Sequence, residues 1–227
     1  MHIPDGFLSL PIIAITYVIA LGVLAFSFKK VKGNVDEQMI PLMALLTAVF
    51  FAVQMMNYPI IGGTTAHLMG APALGIILGP WLGSISMTVI LVLQCFLFAD
   101  GGVTALGANI LNMAIIGVMV PYLFYSLASR RGGRGAMLAG VFVGAFLGDV
   151  LGAVSAGIQL GLSAPIFQYG LAVSVPAMAI HHSVIGIAEG FVTLMVVYAV
   201  VKVKPALLDS NKGLSNLLLS TGGVKNE

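Results

Sequence analysis

The sequence predicts an all-α fold, a polytopic membrane helix bundle of about seven transmembrane helices. Of its 227 residues, 59% are hydrophobic and 8% charged. Mean hydropathy is +1.07, an inventory that a soluble chain of this length could not cover. Apolar stretches long enough to cross a hydrocarbon core of ~30 Å recur along the chain. All ten Lys and Arg fall in three places: Lys29, Lys30 and Lys32; Arg130, Arg131 and Arg134; Lys202, Lys204, Lys212 and Lys225.

The spans read in order as Leu8–Phe28, Ile40–Met56, His67–Gly79, Leu82–Phe98, Leu106–Leu127, Ala136–Leu160 and Val175–Val201. The first carries its positive flank behind the apolar run, unlike a cleavable signal peptide. The third is short and holds Gly70, Pro72, Gly75 and Gly79. It is either a compressed span or partly a re-entrant element packed inside the bundle. Basic loops face the cytoplasm, and the clusters are separated by even numbers of spans, which puts the N-terminus outside and the C-terminus inside. The expected organisation is one integral membrane domain over 1–227: an outer segment (1–7), the bundle (8–205) and a cytoplasmic tail (206–227). Cys95, inside a span and the single cysteine, excludes an intramolecular disulfide.

Small residues let membrane helices approach closely. Ala136, Gly140, Gly144, Gly148, Gly152 and Ala156 recur every four residues on the sixth span and predict a helix–helix seam. Gly75, Gly79 and Gly83 form another ladder. Ala44, Ala48 and Ala52 form one on the second span, which could pack internally or face a partner subunit.

The chain opens Met1-His2-Ile3-Pro4-Asp5-Gly6. With a free amine, the Met1 nitrogen and the His2 backbone nitrogen close a five-membered chelate ring, and the His2 imidazole closes a six-membered one. Such a near-planar set suits square-planar Ni(II) or Cu(II) and leaves one corner open. His67, behind a Gly62-Gly63-Thr64-Thr65 turn, is the candidate fourth ligand. Pro4 and Gly6 shape the turn into the first helix. Asp5 can orient a liganding imidazole or cap that helix. Asn57, Asp100, Thr104, Asn109, Asn112, Gln159, His181 and His182 collect toward the same outer half, where no basic residue lies. Asn109 and His182 are candidates for supporting the ligands, and His182 can equally be structural. Asp149 and Glu189 within spans serve helix–helix hydrogen bonding or proton coupling.

No phosphate-binding Gly-x-x-x-x-Gly-Lys-Ser/Thr, no His-Glu-x-x-His and no Gly-x-Ser-x-Gly occurs, so nothing in the chain reads as an enzyme or as an ATPase. The opening Met-His-Ile-Pro-Asp-Gly-Phe-Leu-Ser, with Thr-Thr-Ala-His67, resembles the substrate-capturing membrane (S) components of nickel and cobalt energy-coupling-factor (ECF) transporters. Pro4 and Asp5 match the nickel pattern, where cobalt members tend to Met-Glu.

The resemblance implies a core of six helices plus one N-terminal helix, and ligation of transported Ni(II), or Co(II), by Met1, His2 and His67. It implies no organic cofactor. It also implies partners: a coupling transmembrane subunit docking on Ala44, Ala48 and Ala52, ATPase subunits and a small accessory membrane subunit, in a bacterial or archaeal cell membrane, with no nucleic acid. High-affinity nickel capture for ATP-driven uptake is the expected function. The alternatives are a cobalt importer of the same family and a stand-alone proton-coupled metal carrier.

Overall fold

The structure, a computed structural model, describes residues 1–33, 35, 39–59, 65–130, 132–204 and 208. Gly62, Gly63, Thr64, Arg131 and the tail 206–227, Leu208 excepted, lie outside the described residues. Apart from a two-residue antiparallel ribbon, β1 (Tyr58–Pro59) against β2 (Thr65–Ala66), the regular elements are helices. They are α1 (Leu10–Val31), α2 (Met39–Gln54), α3 (Ala71–Leu78), α4 (Pro80–Phe98), α5 (Leu106–Asn109), α6 (Gly117–Arg130), α7 (Arg134–Gly161) and α8 (Leu171–Val203). A π-helical stretch, Ile110–Ile116, joins α5 to α6 in one rod, Leu106–Arg130. Five helices are long and apolar enough to cross a membrane: α1, α4, the α5–α6 rod, α7 and α8. Helix α2 is shorter but equally apolar.

The expected third span is helical only over Ala71–Leu78. Eight residues rise about 12 Å, less than the thickness of a hydrocarbon core. All eight are buried, and the bundle thereby shields the irregular backbone of 67–70. The Gly75/Gly79/Gly83 ladder also needs correcting. Gly79 adopts φ 83 and ends α3, and Pro80 opens α4. The two helices fold back on each other with Gly75 and Gly83 face to face, where a Cβ on Gly83 would stand 2.9 Å from the Gly75 Cα. They mark a hairpin seam between two helices.

The ladder on α7 is a seam along the α5–α6 rod. A Cβ on Gly144 would come within 3.0 Å of the Pro121 backbone, and one on Gly152 within 2.7 Å of the Asn112 carbonyl. Lys29 and Lys30 close α1, Arg130 closes α6 and Lys202 lies in the last turn of α8. The amino terminus packs at the other end, on the start of the α5–α6 rod.

Candidate metal centre

The first three residues tuck into the bundle. Met1 is 1% and His2 3% exposed. Asn109, at the end of α5, holds the Ile3 backbone at two points. Its Oδ1 accepts from Ile3 N–H at 2.9 Å, and its Nδ2 donates to the Ile3 carbonyl at 3.2 Å. The same carbonyl accepts from Gly102 N–H at 2.9 Å. Gly101 and Gly102 are required by this approach. A side chain at Gly101 (φ 91) would meet Asn109 Nδ2 at 2.9 Å, and one at Gly102 would run into Asp5. The Met1 side chain extends toward Gly152 on α7, whose added Cβ would lie 3.3 Å from the Met1 sulfur.

His2 and His67 come together across 65 residues of chain. Their rings stack with centroids 4.8 Å apart, and His2 Nδ1 lies 3.2 Å from His67 Nε2. Proton placement at both rings follows from their outer partners. His2 Nε2–H donates to Gln94 Oε1 at 3.0 Å, and His67 Nδ1–H donates to the Leu68 carbonyl at 2.9 Å. The nitrogens that face each other therefore carry lone pairs. Asp100 Oδ1 joins them, 3.3 Å from His2 Nδ1, and its other oxygen accepts from Asn57 Nδ2 at 2.9 Å. The two imidazole lone pairs face each other, with the Asp100 carboxyl group beside His2, an arrangement that a cation stabilises.

Burial favours the uncharged forms of the amine and of the two imidazoles. Desolvation, offset by the carboxylates of Asp149 and Asp100, brings the Met1 amine from 8.0 down to about 5. Burial also lowers His67 to about 3 and holds His2 well below its ordinary value, with the neighbouring His67 adding to the effect on His2. Asp100 moves up, chiefly by burial, against the pull of the amine. Among the described residues, no group of three or more His, Cys, Asp and Glu side chains is arranged to hold an ion, so a site here draws on main-chain nitrogen as well.

The candidates for supporting the imidazoles have other attachments. Asp5 accepts from the N–H groups of Val103 and Thr104 at 3.1 and 2.7 Å and from the Thr104 hydroxyl. The Thr104 hydroxyl is the main cause of its lowered pKa. Asp5 thus staples the amino-terminal segment to the 103–104 turn, where an imidazole-orienting or helix-capping role was expected; Ser9 stands at the N-cap of α1. Asn109 grips Ile3. His182 Nδ1 pairs with Asp149 on α7 at 3.2 Å. The residue that does orient His2 is Gln94, missed in the sequence reading. A carboxamide inside the apolar run of α4, six residues before Asp100, is visible in the sequence, but the loop it meets is not.

Residues 2–207 match the family model described as "CbiM: Cobalt uptake substrate-specific transmembrane region". A protein assigned as a fused nickel transport protein, from Archaeoglobus fulgidus, is 40% identical over 220 residues, which are 97% of this chain and 72% of that protein. A fused nickel transport protein from Rhodobacter capsulatus is 38% identical over 223 residues, 92% of this chain and 64% of that protein. The chain thus spans about two thirds of the length of these fused relatives. A crystal structure described as a transition metal transporter superposes with a TM-score of 0.83 at 38% identity, covering 98% of this chain and 100% of that one.

Proposed function

The chain belongs to the family of cobalt uptake substrate-specific transmembrane regions, and from that membership we propose that it captures Ni(II) tightly at its outer face for uptake, with Co(II) as the alternative cargo. It is a multi-pass membrane transport protein, not an enzyme. The observation that carries the metal reading is the pair of opposed lone pairs, His2 Nδ1 against His67 Nε2 at 3.2 Å. Two nitrogens bound at right angles to one ion, each at about 2.0–2.1 Å, stand about 2.9 Å apart, so a small inward movement of either ring seats the metal. His2 Nδ1 is also the ring nitrogen that closes a six-membered chelate with its own amide nitrogen. The Met1 amine completes the other ring, and His67 takes the fourth corner, opposite the amide.

A deprotonated amide nitrogen, an amine and two imidazoles make a strong planar field. Low-spin d⁸ Ni(II) gains from it, and high-spin Co(II) gains little, which is the basis for ranking nickel first. We further propose ATP-driven uptake with separate coupling and ATPase subunits. The stand-alone proton-coupled carrier is less well supported. Asp149 is engaged by His182, and Glu189 accepts two backbone N–H bonds, so both carboxylates already hold helices together.

The test is nickel binding by the purified chain, followed by calorimetry and by the visible d–d absorption of the bound ion. His67→Ala should weaken affinity without erasing it and move the d–d band to longer wavelength. Residues added ahead of Met1 should abolish tight binding in a folded protein, because the amine becomes an amide. Tight binding by the extended chain would eliminate the amino-terminal chelate.

A further inference from the structure

The segment bearing His67 is gripped from behind by a carboxylate that the chelate does not use. Glu189 sits on α8, 1% exposed. Its Oε2 accepts from Met69 N–H at 2.6 Å and its Oε1 from Gly70 N–H at 2.9 Å. These donors immediately precede α3 and have no carbonyl within the helix to bond. Gly70, at φ 70, turns the two N–H groups toward one carboxylate, and a side chain there would strike the Phe50 ring. From the other side, Gln54 Nε2 at the end of α2 donates to the Met69 carbonyl at 2.6 Å. The backbone two residues after His67 is therefore clamped between α2 and α8.

The same buried face of α8 is fastened to α7. His182, seven residues and about two turns before Glu189, donates from Nδ1 to Asp149 at 3.2 Å. Gly186, between them, packs against Phe146 of α7.

We propose that Glu189 is a positioning residue that latches His67 to α8, so that displacing α8 relative to α3 withdraws the fourth nitrogen from the bound metal. This rests on the reading of His67 as that fourth nitrogen. The grip is sensitive to small movements. A slide of about 1 Å takes bonds of this length to the edge of hydrogen-bonding range or past it. In this geometry each carboxylate oxygen takes one amide, and a glutamine in the same pose turns a donor toward one of them.

The experiment compares Glu189→Gln with His67→Ala in the full chain, by nickel calorimetry, d–d absorption and amide hydrogen exchange at residues 69 and 70. Glu189→Gln should speed exchange at these amides. It should weaken nickel affinity about ten-fold, as loss of a partner supporting a ligand does, and shift the d–d band in the same direction as His67→Ala. In a chain already carrying His67→Ala it should add no further spectral shift. Glu189→Asp, one methylene too short to reach both amides, repeats the test if the glutamine variant misfolds. Faster exchange with a wild-type spectrum and affinity would overturn the latch, and so would a spectral shift that adds to that of His67→Ala. An unchanged spectrum in His67→Ala alone overturns the fourth-donor reading, and the latch with it, a failure that no Glu189 variant is needed to see.

Discussion

The two ring nitrogens of His2 have different tasks, and one buried hydrogen bond divides them. Gln94 Oε1 accepts a hydrogen bond from Nε2–H, which leaves the Nδ1 lone pair facing His67. The Met1 amine is prepared by burial, which brings it to about 5. An exposed amine with a pKa near 8 is about 90% protonated at pH 7, whereas one near 5 is about 1% protonated. On the proposed chelate, capture at pH 7 should release only the His2 amide proton, about one per nickel ion. Because the amine pKa is lowered, its competition with protons is absent above pH 5 and appears as pH falls through 5, where release rises toward two. Calorimetry in buffers of different ionisation enthalpy counts these protons, and a value near two at pH 7 would mean that the amine is not buried. Met1, His2 and His67 could be read as candidate ligands because their chemistry is carried by residue type and order. Gln94, Asp100 and the true job of Asp5 could not, because each depends on which loop packs against the amino-terminal segment.

Among the elements, the long spans were readable from apolar length and the α7 seam from its four-residue spacing, since both are local properties of one helix. The α3–α4 hairpin was not. Gly75, Gly79 and Gly83 keep the same spacing as a helical ladder, and only the positive φ of Gly79 and the start of a new helix at Pro80 separate the two cases. The hairpin makes a prediction that a single helical ladder would not. Gly83→Val places its Cβ 2.9 Å from the Gly75 Cα and from the Leu74 carbonyl, backbone that cannot move aside. The cost should be about 1–3 kcal/mol, as for other overpacked cores, read as a lower unfolding temperature in detergent. Gly22→Val on α1, with open space around the site, should leave that temperature unchanged. Equal effects at the two glycines would deny the close α3–α4 contact.

For the whole molecule, α2 connects the metal segment to a surface. Its inner side holds Thr47, hydrogen-bonded to Ser86 of α4 at 2.6 Å, and Gln54, on the Met69 carbonyl. Ala44, Ala48 and Ala52 lie exposed on the same helix. Among the described residues, no helix covers these alanines, which leaves them free to face a partner. The small side chains of Ala44 and Ala48 leave a shallow apolar groove, walled by Ile40, Met43 and Phe51 on α2 and by Val89, Leu93 and Leu97 on α4. A coupling helix could approach closely there, and its docking would press on the helix whose last residue, Gln54, grips the His67 segment. Ala48→Leu fills this groove at a position facing away from the chelate. Nickel affinity and the d–d spectrum of the isolated chain should stay at wild-type values, while nickel uptake by cells expressing the chain together with the proposed coupling and ATPase subunits should fall by an order of magnitude or more, because about 1.4 kcal/mol lost at the docking face is a ten-fold loss of assembled complex. Undiminished uptake by Ala48→Leu would move the docking face elsewhere, and lost binding in the isolated chain would mean that α2 serves the metal site and not a partner.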